Sequence, residues 1–393
     1  MDIDVAAARA DTPGCSEIVH FNNASAALQP RPVTEAVIAQ IRAEARIGGY
    51  EAADLAAEAL GGFYGSGARL VGGAPDEIGW VENGTRAWDM AFYGMDWRPG
   101  DKVVTNRSEY GSNYVAYLHA AERRGIEIVV APDDASGQID VTALDAMIDA
   151  RVRLIAICHI PTNGGLVNPA AAVGAVARRH GIPYLLDAVQ SAGQLPLDVH
   201  EIGCTMLAVT GRKYLRGPRG TGFLWVARDW IGRLDPPVLD NYAAQWTAPD
   251  RYEIAETARR FETFEMYNAG RIGLASAIDY ALALGLPAIR DRVYRLGATL
   301  RAALAESPGV TVRDLGVEKC GIVTFTAETQ EPAAISARLR AEFGINTSVT
   351  RQVFTRLDMQ DRGLDAMVRA SVHYYNTEDE IDRCVEAVKR IVG

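Results

Sequence analysis

The sequence predicts an α/β protein with a mostly parallel sheet in its larger part and a smaller α/β domain at its C-terminal end. Apolar segments of strand length alternate with amphipathic helical segments through the first two thirds of the chain, which is typical of a parallel sheet covered by helices. From about Asn268 this pattern changes to a long helical region followed by shorter strands. The 393 residues suffice for two domains, which we place at 21–268 and 269–393, after an N-terminal segment at 1–20.

Local signals define the elements of the larger domain. Pro32 sets up a helix over 33–45, and the pair Gly48-Gly49 ends it. Further helices are expected at 52–64, from 85 onward, at 112–123 and at 169–179. Strands are expected at 78–81, 102–105, 126–130, 153–158, 184–186, 207–210 and 223–226.

The C-terminal domain has its own set of signals. A long helical region covers 270–306, and Thr377 with Glu380 forms a capping box that begins the last helix. The remaining expectations are strands at 310–313, 321–326 and 346–349, and helices at 332–342 and 377–391.

Composition and charge exclude several classes of function. The net charge of -10 and the lack of a long basic tract argue against a nucleic-acid partner. No apolar run approaches the roughly 18–20 residues of a membrane helix, and the acidic first residues do not resemble a signal peptide, so we expect a cytoplasmic protein. The five cysteines lie far apart, which predicts neither a metal site nor a disulfide framework.

Lysine is scarce, which shortens the search for a reactive amine. Of the four lysines only Lys213 lies in a glycine-rich loop, at 210–222, between two predicted strands. A lysine that acts as a nucleophile must be kept partly neutral, and we expect the neighbouring Arg212, Arg216 and Arg219 to disfavour its charged form. The alternative for Lys213 is a surface lysine in a basic turn. Arg216 is predicted either to have a structural or phosphate-linked role or to meet a second acidic group of the substrate.

Two further segments place polar residues at predicted strand ends, where ligands bind in open parallel sheets. Asp187 follows the strand at 184–186, where a carboxylate can keep a pyridine nitrogen protonated; Gln190 could reach the ring oxygen. The segment 83–86 combines Gly84 and Thr85 with a helix N-terminus, which suits a phosphate, and Arg86 supplies a counter-charge. The alternative for Asp187 is a solvated acid at a strand end, and the alternative for 83–86 is an ordinary capped helix.

In order and spacing, the segments "LLDAVQSAGQLPLDV" and "TGRKYLRGPRGTGFLWV" resemble the class V aminotransferases, a group of fold-type I enzymes that depend on pyridoxal 5′-phosphate (PLP). This group includes cysteine desulfurases, isopenicillin N epimerase-like proteins and the C–S lyases of ergothioneine biosynthesis. The resemblance runs from "FNNASAALQP" to "VRASVHYYNTEDEID", which is nearly the whole chain. It implies a seven-stranded-type sheet, PLP as cofactor, an amino acid substrate, and a homodimer with its sites at the subunit interface.

The resemblance also implies residue roles. Lys213 corresponds to the Schiff-base lysine that moves the Cα proton, and Arg369 to the arginine that grips the substrate carboxylate, with Asn23 in the same substrate site. Tyr110 takes the place of the ring that stacks on the cofactor. The other implied cofactor contacts are Asp187 at the pyridine nitrogen, Gln190 at the ring oxygen, and Thr85, Arg86, Thr210 and Arg212 at the phosphate.

The chain departs from the family pattern at two places. Thr162 stands where desulfurases tend to have an asparagine, and Asn163 follows it, so either residue could face the ring. The segment 262–268 lacks the Gly-Thr pair that reaches the phosphate across the dimer interface in relatives, and Glu265 stands there instead. The segments 242–246 and 261–267 are predicted either as dimer contacts or as intramolecular packing.

The resemblance leaves several reactions open. In relatives, desulfurases carry a mobile cysteine in the loop before the carboxylate-binding arginine, but 346–367 contains no cysteine, and Cys320 and Cys384 suit structural roles. We therefore expect persulfide-forming desulfuration to be disfavoured. The segments "EARIGGYEAADLAAEAL" and "EYGSNYVAYL" most resemble the C–S lyase and epimerase-like branch. On this resemblance we expect β-elimination by a C–S lyase acting on a cysteine S-conjugate or S-oxide. Epimerisation and transamination are the alternatives, and a non-catalytic PLP-binding scaffold is a fourth hypothesis.

Overall fold

The computed structural model describes residues 3–393 as fifteen strands and fifteen α-helices. The strands are β1 (Val19–His20), β2 (Ile78–Val81), β3 (Lys102–Asn106), β4 (Glu127–Ala131), β5 (Val152–Cys158), β6 (Tyr184–Asp187), β7 (Met206–Thr210), β8 (Gly222–Val226), β9 (Ala244–Ala248), β10 (Arg251–Ile254), β11 (Val310–Val312), β12 (Ile322–Ala327), β13 (Ile345–Asn346), β14 (Ser348–Arg351) and β15 (Ala366–Ser371).

The helices begin and end as follows: α1 (Val5–Ala10), α2 (Arg31–Ile47), α3 (Gly49–Leu55), α4 (Ala57–Val71), α5 (Gly84–Tyr93), α6 (Gly111–Arg124), α7 (Val141–Ala146), α8 (Ala170–His180), α9 (Val199–Ile202), α10 (Arg228–Ile231), α11 (Asn268–Leu284), α12 (Leu286–Ala305), α13 (Pro332–Phe343), α14 (Arg356–Asp361) and α15 (Glu378–Val392). Short 3₁₀ turns lie at Pro13–Ser16, Pro75–Glu77, Ala258–Phe261 and Gln352–Phe354.

Seven strands form the central sheet in the order β2-β8-β7-β6-β5-β3-β4. Only β8 runs antiparallel to its neighbours, so the predicted mostly parallel seven-stranded sheet is confirmed. Along β5, Leu154 and Ala156 belong to one buried cluster, whereas Ile155 and Ile157 belong to another. Because successive side chains point to opposite faces, both faces of the sheet are covered by apolar packing.

Glycines with positive φ set two helix boundaries. Gly48 (φ 102°) separates α2 from α3, as the sequence predicts. Gly285 (φ 86°) divides the region predicted as 270–306 into α11 and α12, which meet at an angle of 81°. The helix predicted at 52–64 is likewise divided, because the backbone at Ala56 leaves helical geometry between α3 and α4.

The C-terminal part builds a separate antiparallel sheet in the order β11-β12-β15-β14, and α15 begins at the predicted Thr377–Glu380 capping box. The N-terminal strand β1 pairs with β13, and Asn22 bridges to Ser371. The chain at 19–22 is therefore anchored to the C-terminal part. The domain limits proposed from the sequence stay a prediction.

A β-hairpin of β9 and β10, which the sequence did not reveal, precedes the segment 261–267. Its strands are largely exposed. In the neighbouring segment Glu262 turns inward and accepts hydrogen bonds from Tyr64 Oη at 3.0 Å and from the Trp80 backbone N–H at 2.9 Å, whereas Glu265 is exposed.

Within residues 3–393, no single helix has both the length and the apolar composition to cross a membrane. The helices α11 and α12 meet both criteria only when they are counted together across their bend.

Candidate active site

A cavity of about 410 Å³ opens at the carboxyl ends of the parallel strands β5, β6 and β7, beside the N-termini of α5 and α6. This is where open α/β sheets bind ligands. Its wall contains Asn83, Gly84, Thr85, Tyr110, Asn113, Cys158, Ile160, Thr162, Asp187, Val189, Gln190, Thr210, Arg212 and Lys213. Most residues proposed from the sequence as cofactor contacts therefore lie around one cavity.

Asp187 ends β6 and is buried in this wall. Its Oδ2 accepts a hydrogen bond from Asn113 Nδ2 at 2.9 Å, and its Oδ1 accepts one from the Val189 backbone N–H at 2.9 Å. Burial raises the pKa of the Asp187 carboxyl, while these two hydrogen bonds and the nearby Lys213 act in the opposite direction. Two donors thus hold the Asp187 side chain in one orientation.

Lys213 is buried between β7 and β8, and its pKa is lowered from 10.5 to about 7. Burial is the largest cause, followed by the charges of Arg212 and Arg369, while Asp187 opposes the shift. The sequence correctly pointed to Arg212, but burial contributes more than any neighbouring arginine. A substantial fraction of the amine is therefore neutral at pH 7, as a nucleophile requires.

Arg216 has a structural role in the loop that follows Lys213. Its guanidinium is fully buried, donates to the Leu28 carbonyl at 2.7 Å, and lies 4.6 Å from the centre of the Tyr375 ring. It also donates to Tyr374 Oη at 2.6 Å, and its backbone has a positive φ of 62°. Enclosed in this way, Arg216 is not placed to meet a second acidic group of a substrate.

The N-terminus of α5 also borders the cavity. Asn83 caps this helix by accepting the Arg86 backbone N–H at 2.9 Å, and Gly84 and Thr85 line the cavity. Thr210 joins them from the end of β7, so hydroxyls and helix N–H groups suit an anion there. The Arg86 side chain, predicted as a phosphate contact, lies instead outside the wall, with its Nε 4.0 Å from Glu82.

Thr162, and not Asn163, faces the cavity. Thr162 Oγ1 accepts hydrogen bonds from Arg369 Nη1 at 2.6 Å and from Gln190 Nε2 at 3.3 Å. Asn163 turns away and donates to Asp358 at 2.6 Å. This packing decides between Thr162 and Asn163, which the sequence left open. The Thr162 hydroxyl links Gln190, the proposed contact of the ring oxygen, to Arg369, the proposed contact of the substrate carboxylate.

Arg369 lies next to Thr162, and burial lowers its pKa to about 10. It also donates to Ser25 Oγ, while Arg212 donates to the carbonyl oxygen of the same Ser25. Two guanidinium groups thus meet at the loop before α2. Asn23, predicted in the substrate site, instead donates to the carbonyls of His20 at 3.1 Å and Ser371 at 2.7 Å and lies outside the cavity wall.

The sequence did not reveal Glu109, Asn113 and Cys158 as parts of the site. Glu109 lies directly before Tyr110, the N-cap residue of α6, and Asn113 lies in the first turn of that helix, where its Nδ2 donates to Glu109 at 3.0 Å. Cys158 ends β5 and donates to the Ile160 carbonyl at 3.2 Å, and burial raises its pKa well above the ordinary value. Ligand atoms of Glu109, Cys158 and Asp187 lie within 4.8 Å of one another, and Asn113 donates to both carboxylates.

The residues of this cavity fit PLP. Gln190 Oε1 is buried and has no hydrogen-bond partner among residues 3–393, so one end of this amide is available to a polar ligand atom. Asp187 would hold the pyridine nitrogen, the α5 N-terminus with Thr85 and Thr210 would hold the phosphate, and Lys213 offers a partly neutral amine. Tyr110 lies in the same wall at the start of α6.

Comparison with known proteins decides the family. The family model "Aminotransferase class-V" matches residues 19–384. The chain belongs to the class-V aminotransferase family. A protein of Methanothermobacter thermautotrophicus named "Probable cysteine desulfurase" is 29% identical over 392 residues, which cover 98% of this chain and 97% of that protein. A protein of Xylella fastidiosa with the same name is 31% identical over 75% of this chain and 70% of its own length.

Solved structures show the same fold. The apo structure of a cysteine desulfurase from Thermococcus onnurineus NA1 has a TM-score of 0.92 and 24% identity, and covers 100% of this class-V chain and 98% of that chain. The cystine C–S lyase C-DES, in complex with its reaction product cysteine persulfide, has a TM-score of 0.87 and 24% identity, with coverage of 96% and 99%. The fold-type I assignment is therefore confirmed.

The expected reaction of this class-V enzyme is wrong. Relatives matched over nearly the whole chain are named cysteine desulfurases, which contradicts the expectation that persulfide-forming desulfuration is disfavoured. The same finding contradicts the preferred β-elimination from an S-conjugate or S-oxide, with its epimerase and aminotransferase alternatives. That expectation depended on one loop without cysteine.

Proposed function

We propose that this enzyme is a cysteine desulfurase that removes sulfur from L-cysteine with PLP as cofactor. The observation that carries the proposal is one cavity whose wall contains Lys213, Asp187 and Thr162, with Arg369 bonded to Thr162 at 2.6 Å. The names of the class-V relatives support the substrate. In the reaction the Cβ–S bond breaks, sulfur passes to an acceptor thiol as a persulfide, and protons complete the carbon skeleton as L-alanine.

Bound PLP supplies an electron sink for the electrons released at the substrate Cα. Lys213 is the group that removes and returns the proton at this carbon, since its pKa of about 7 lets it act as base and as acid near neutral pH. Asp187 would hold the pyridine nitrogen of the cofactor and favour its protonated form. Arg369, held by Thr162, binds the α-carboxylate with charge-assisted hydrogen bonds.

The proposal is tested by incubating the PLP-loaded enzyme with L-cysteine and dithiothreitol and measuring L-alanine, pyruvate and sulfide. We expect L-alanine and sulfide in equal amounts, and no L-alanine from Lys213→Ala. Lys102→Ala is the matched control, because Lys102 pairs with Asp149 at 2.6 Å at the start of β3 and should leave the rate unchanged. Formation of pyruvate in place of L-alanine would contradict the proposal.

We also infer that the enzyme is a homodimer. Exposed aromatic residues cluster in sequence on the β9–β10 hairpin and in the segment 261–267, notably Trp246 (76% exposed), Tyr252 (59%) and Phe264 (50%). Apolar groups exposed in this way are typical of surfaces that a partner covers.

The cytoplasmic location expected from the sequence stays a prediction, which cell fractionation would test.

A further inference from the structure

A buried carboxylate with no assigned role lies behind the cofactor site. Glu109 Oε1 accepts hydrogen bonds from the Tyr110 backbone N–H at 2.7 Å and from Asn113 Nδ2 at 3.0 Å. Its Oε2 accepts from Thr105 Oγ1 at 2.9 Å and from Tyr117 Oη at 3.1 Å. Four donors thus surround one buried carboxylate directly before the N-cap of α6, the helix that lines the cavity. Such complete hydrogen bonding indicates that the fold holds the Glu109 side chain in a fixed position.

Asn113 connects this carboxylate to the cofactor site. An amide nitrogen carries two hydrogens, and those of Asn113 are divided between Glu109 at 3.0 Å and Asp187 at 2.9 Å. Glu109 therefore fixes the rotation of the amide that holds Asp187 Oδ2. Without that acceptor the Asn113 side chain is free to rotate, and Asp187 loses one of its two orienting donors.

Glu109 also fixes the backbone at Tyr110. The Tyr110 N–H is bonded to Glu109 Oε1, and Tyr110 is the N-cap residue of α6 and part of the cavity wall. One carboxylate thus restrains two cavity groups at once, the ring of Tyr110 through its backbone and the carboxylate of Asp187 through Asn113.

We propose that Glu109 is a positioning residue of the cofactor site, which holds Asn113 against Asp187 and holds Tyr110 at the start of α6. It acts through these two neighbours and does not itself line the cavity. The inference rests on PLP as cofactor and is independent of the proposed sulfur chemistry, so its test measures cofactor binding directly.

The charge of Glu109 affects the protonation of neighbouring groups in the cavity, which a pH titration can measure. Burial, and then the charge of Asp187, raises the pKa of Glu109 to about 7, whereas the hydrogen bonds of Asn113, Tyr110 and Thr105 lower it. Its ionised form adds negative potential next to Asp187, which favours protonated groups in the cavity. The titratable groups that face the Glu109–Asp187 pair are Tyr117, Cys158 and Lys213.

The test is Glu109→Gln, a change that keeps the shape but replaces one acceptor oxygen by a donor. PLP is titrated into cofactor-free protein to obtain its dissociation constant, and the visible absorbance of the loaded protein is followed against pH. We expect the dissociation constant to rise about tenfold, in line with the loss of one buried charge-assisted hydrogen bond. We expect the absorbance midpoint to move to lower pH, because removal of a negative charge makes protonated cavity groups less stable.

Glu77→Gln is the matched control. Glu77 is also a buried carboxylate, and it accepts from Trp225 Nε1 at 3.0 Å and from the backbone N–H groups of Ala74 at 2.8 Å and Arg228 at 3.2 Å, all outside the cavity wall. The Glu77→Gln substitution should lower thermal stability without changing the PLP dissociation constant or the midpoint of the absorbance change with pH. A merely structural Glu109 would behave like Glu77.

An unchanged dissociation constant and midpoint in Glu109→Gln would overturn the proposal. If that variant does not fold, Tyr117→Phe replaces it, because it removes one of the four donors that fix the orientation of the Glu109 carboxylate against Asn113 and Tyr110. Tyr117→Phe should raise the dissociation constant about two- to fivefold, because the Glu109 carboxylate loses one of its four restraints and keeps the other three. A folded Tyr117→Phe with unaltered cofactor binding would likewise reject the role. Neither result depends on whether L-cysteine is the substrate.

Discussion

Lys213 is a buried amine whose folded pKa, about 7, lies below its ordinary value of 10.5. The unfolded chain therefore binds this proton more tightly than the folded chain between these two pH values. The free energy of unfolding consequently rises with pH from about 7 to 10.5, and the cost of burying the charged amine is present in full below pH 7. Functional sites commonly carry such a stability cost.

We therefore expect Lys213→Met to stabilise the cofactor-free protein at pH 6.5. Methionine has a similar length and no charge to desolvate, so the midpoint of thermal unfolding should rise by about 2 °C or more, a shift typical of a change of about 1 kcal/mol. The gain should shrink at pH 9, where the wild-type amine is largely neutral. Scanning calorimetry at both pH values measures it.

Lys102→Met is the control for this comparison. Its amine pairs with Asp149 at 2.6 Å near the surface, so its removal should not stabilise the protein at either pH. An equal gain from Lys213→Met at pH 6.5 and pH 9 would show that the amine is not buried as a charge, contrary to the structure.

At the scale of elements, the turn after β6 supports the loop that carries Lys213. Gly193 has φ 83°, and a Cβ at this position would lie 2.6 Å from the backbone nitrogen of Leu215 and the carbonyl carbon of Tyr214. These atoms follow Lys213 directly in the chain. The two segments can approach only because position 193 has no side chain.

Gly193→Ala should displace the Lys213 loop and weaken PLP binding by about tenfold or more, since small displacements of catalytic groups are costly. Gly181→Ala is a matched control, because Gly181 also has a positive φ of 64° but its Cβ would meet nothing within 4 Å. Both variants share the backbone cost of about 1 kcal/mol for a side chain at positive φ. The difference between their PLP dissociation constants therefore measures the effect of displacing the Lys213 loop. Equal PLP dissociation constants would contradict this explanation.

At the scale of the whole molecule, the exposed aromatic residues of the hairpin and of 261–267 test the proposed homodimer. Trp246→Glu places a charge where the proposal needs an apolar contact, and we expect it to weaken the dimer by at least about tenfold. Light scattering after size-exclusion chromatography measures the mass of each species. Val317→Glu, at an exposed apolar position (80%) between β11 and β12, should leave the mass of the dimer unchanged.

A monomeric mass for the wild-type protein at micromolar concentration would contradict the homodimer directly. A dimeric Trp246→Glu would instead show that the interface lies elsewhere on the surface.

Signals that act over a few residues made much of the fold predictable. Strand-length apolar segments separated by amphipathic helices led to the parallel sheet, and the capping box at Thr377 led to the start of α15. The break at Gly285 was missed, because a glycine in an apolar helical pattern does not by itself show whether its φ becomes positive. The hairpin of β9 and β10 was missed because its strands are exposed and lack a clear apolar alternation.

By itself the sequence determined the chemistry of the site: a lysine in a glycine-rich loop, a carboxylate at a strand end and a helix N-terminus for an anion. Only the tertiary structure decided which polar groups meet. Asn113 reaches Asp187 across 74 residues, and Thr162, not Asn163, reaches Arg369 across 207. The physical reason is that residue type and strand position are local properties. The direction of a side chain depends instead on the elements packed against it, which come from distant parts of the chain.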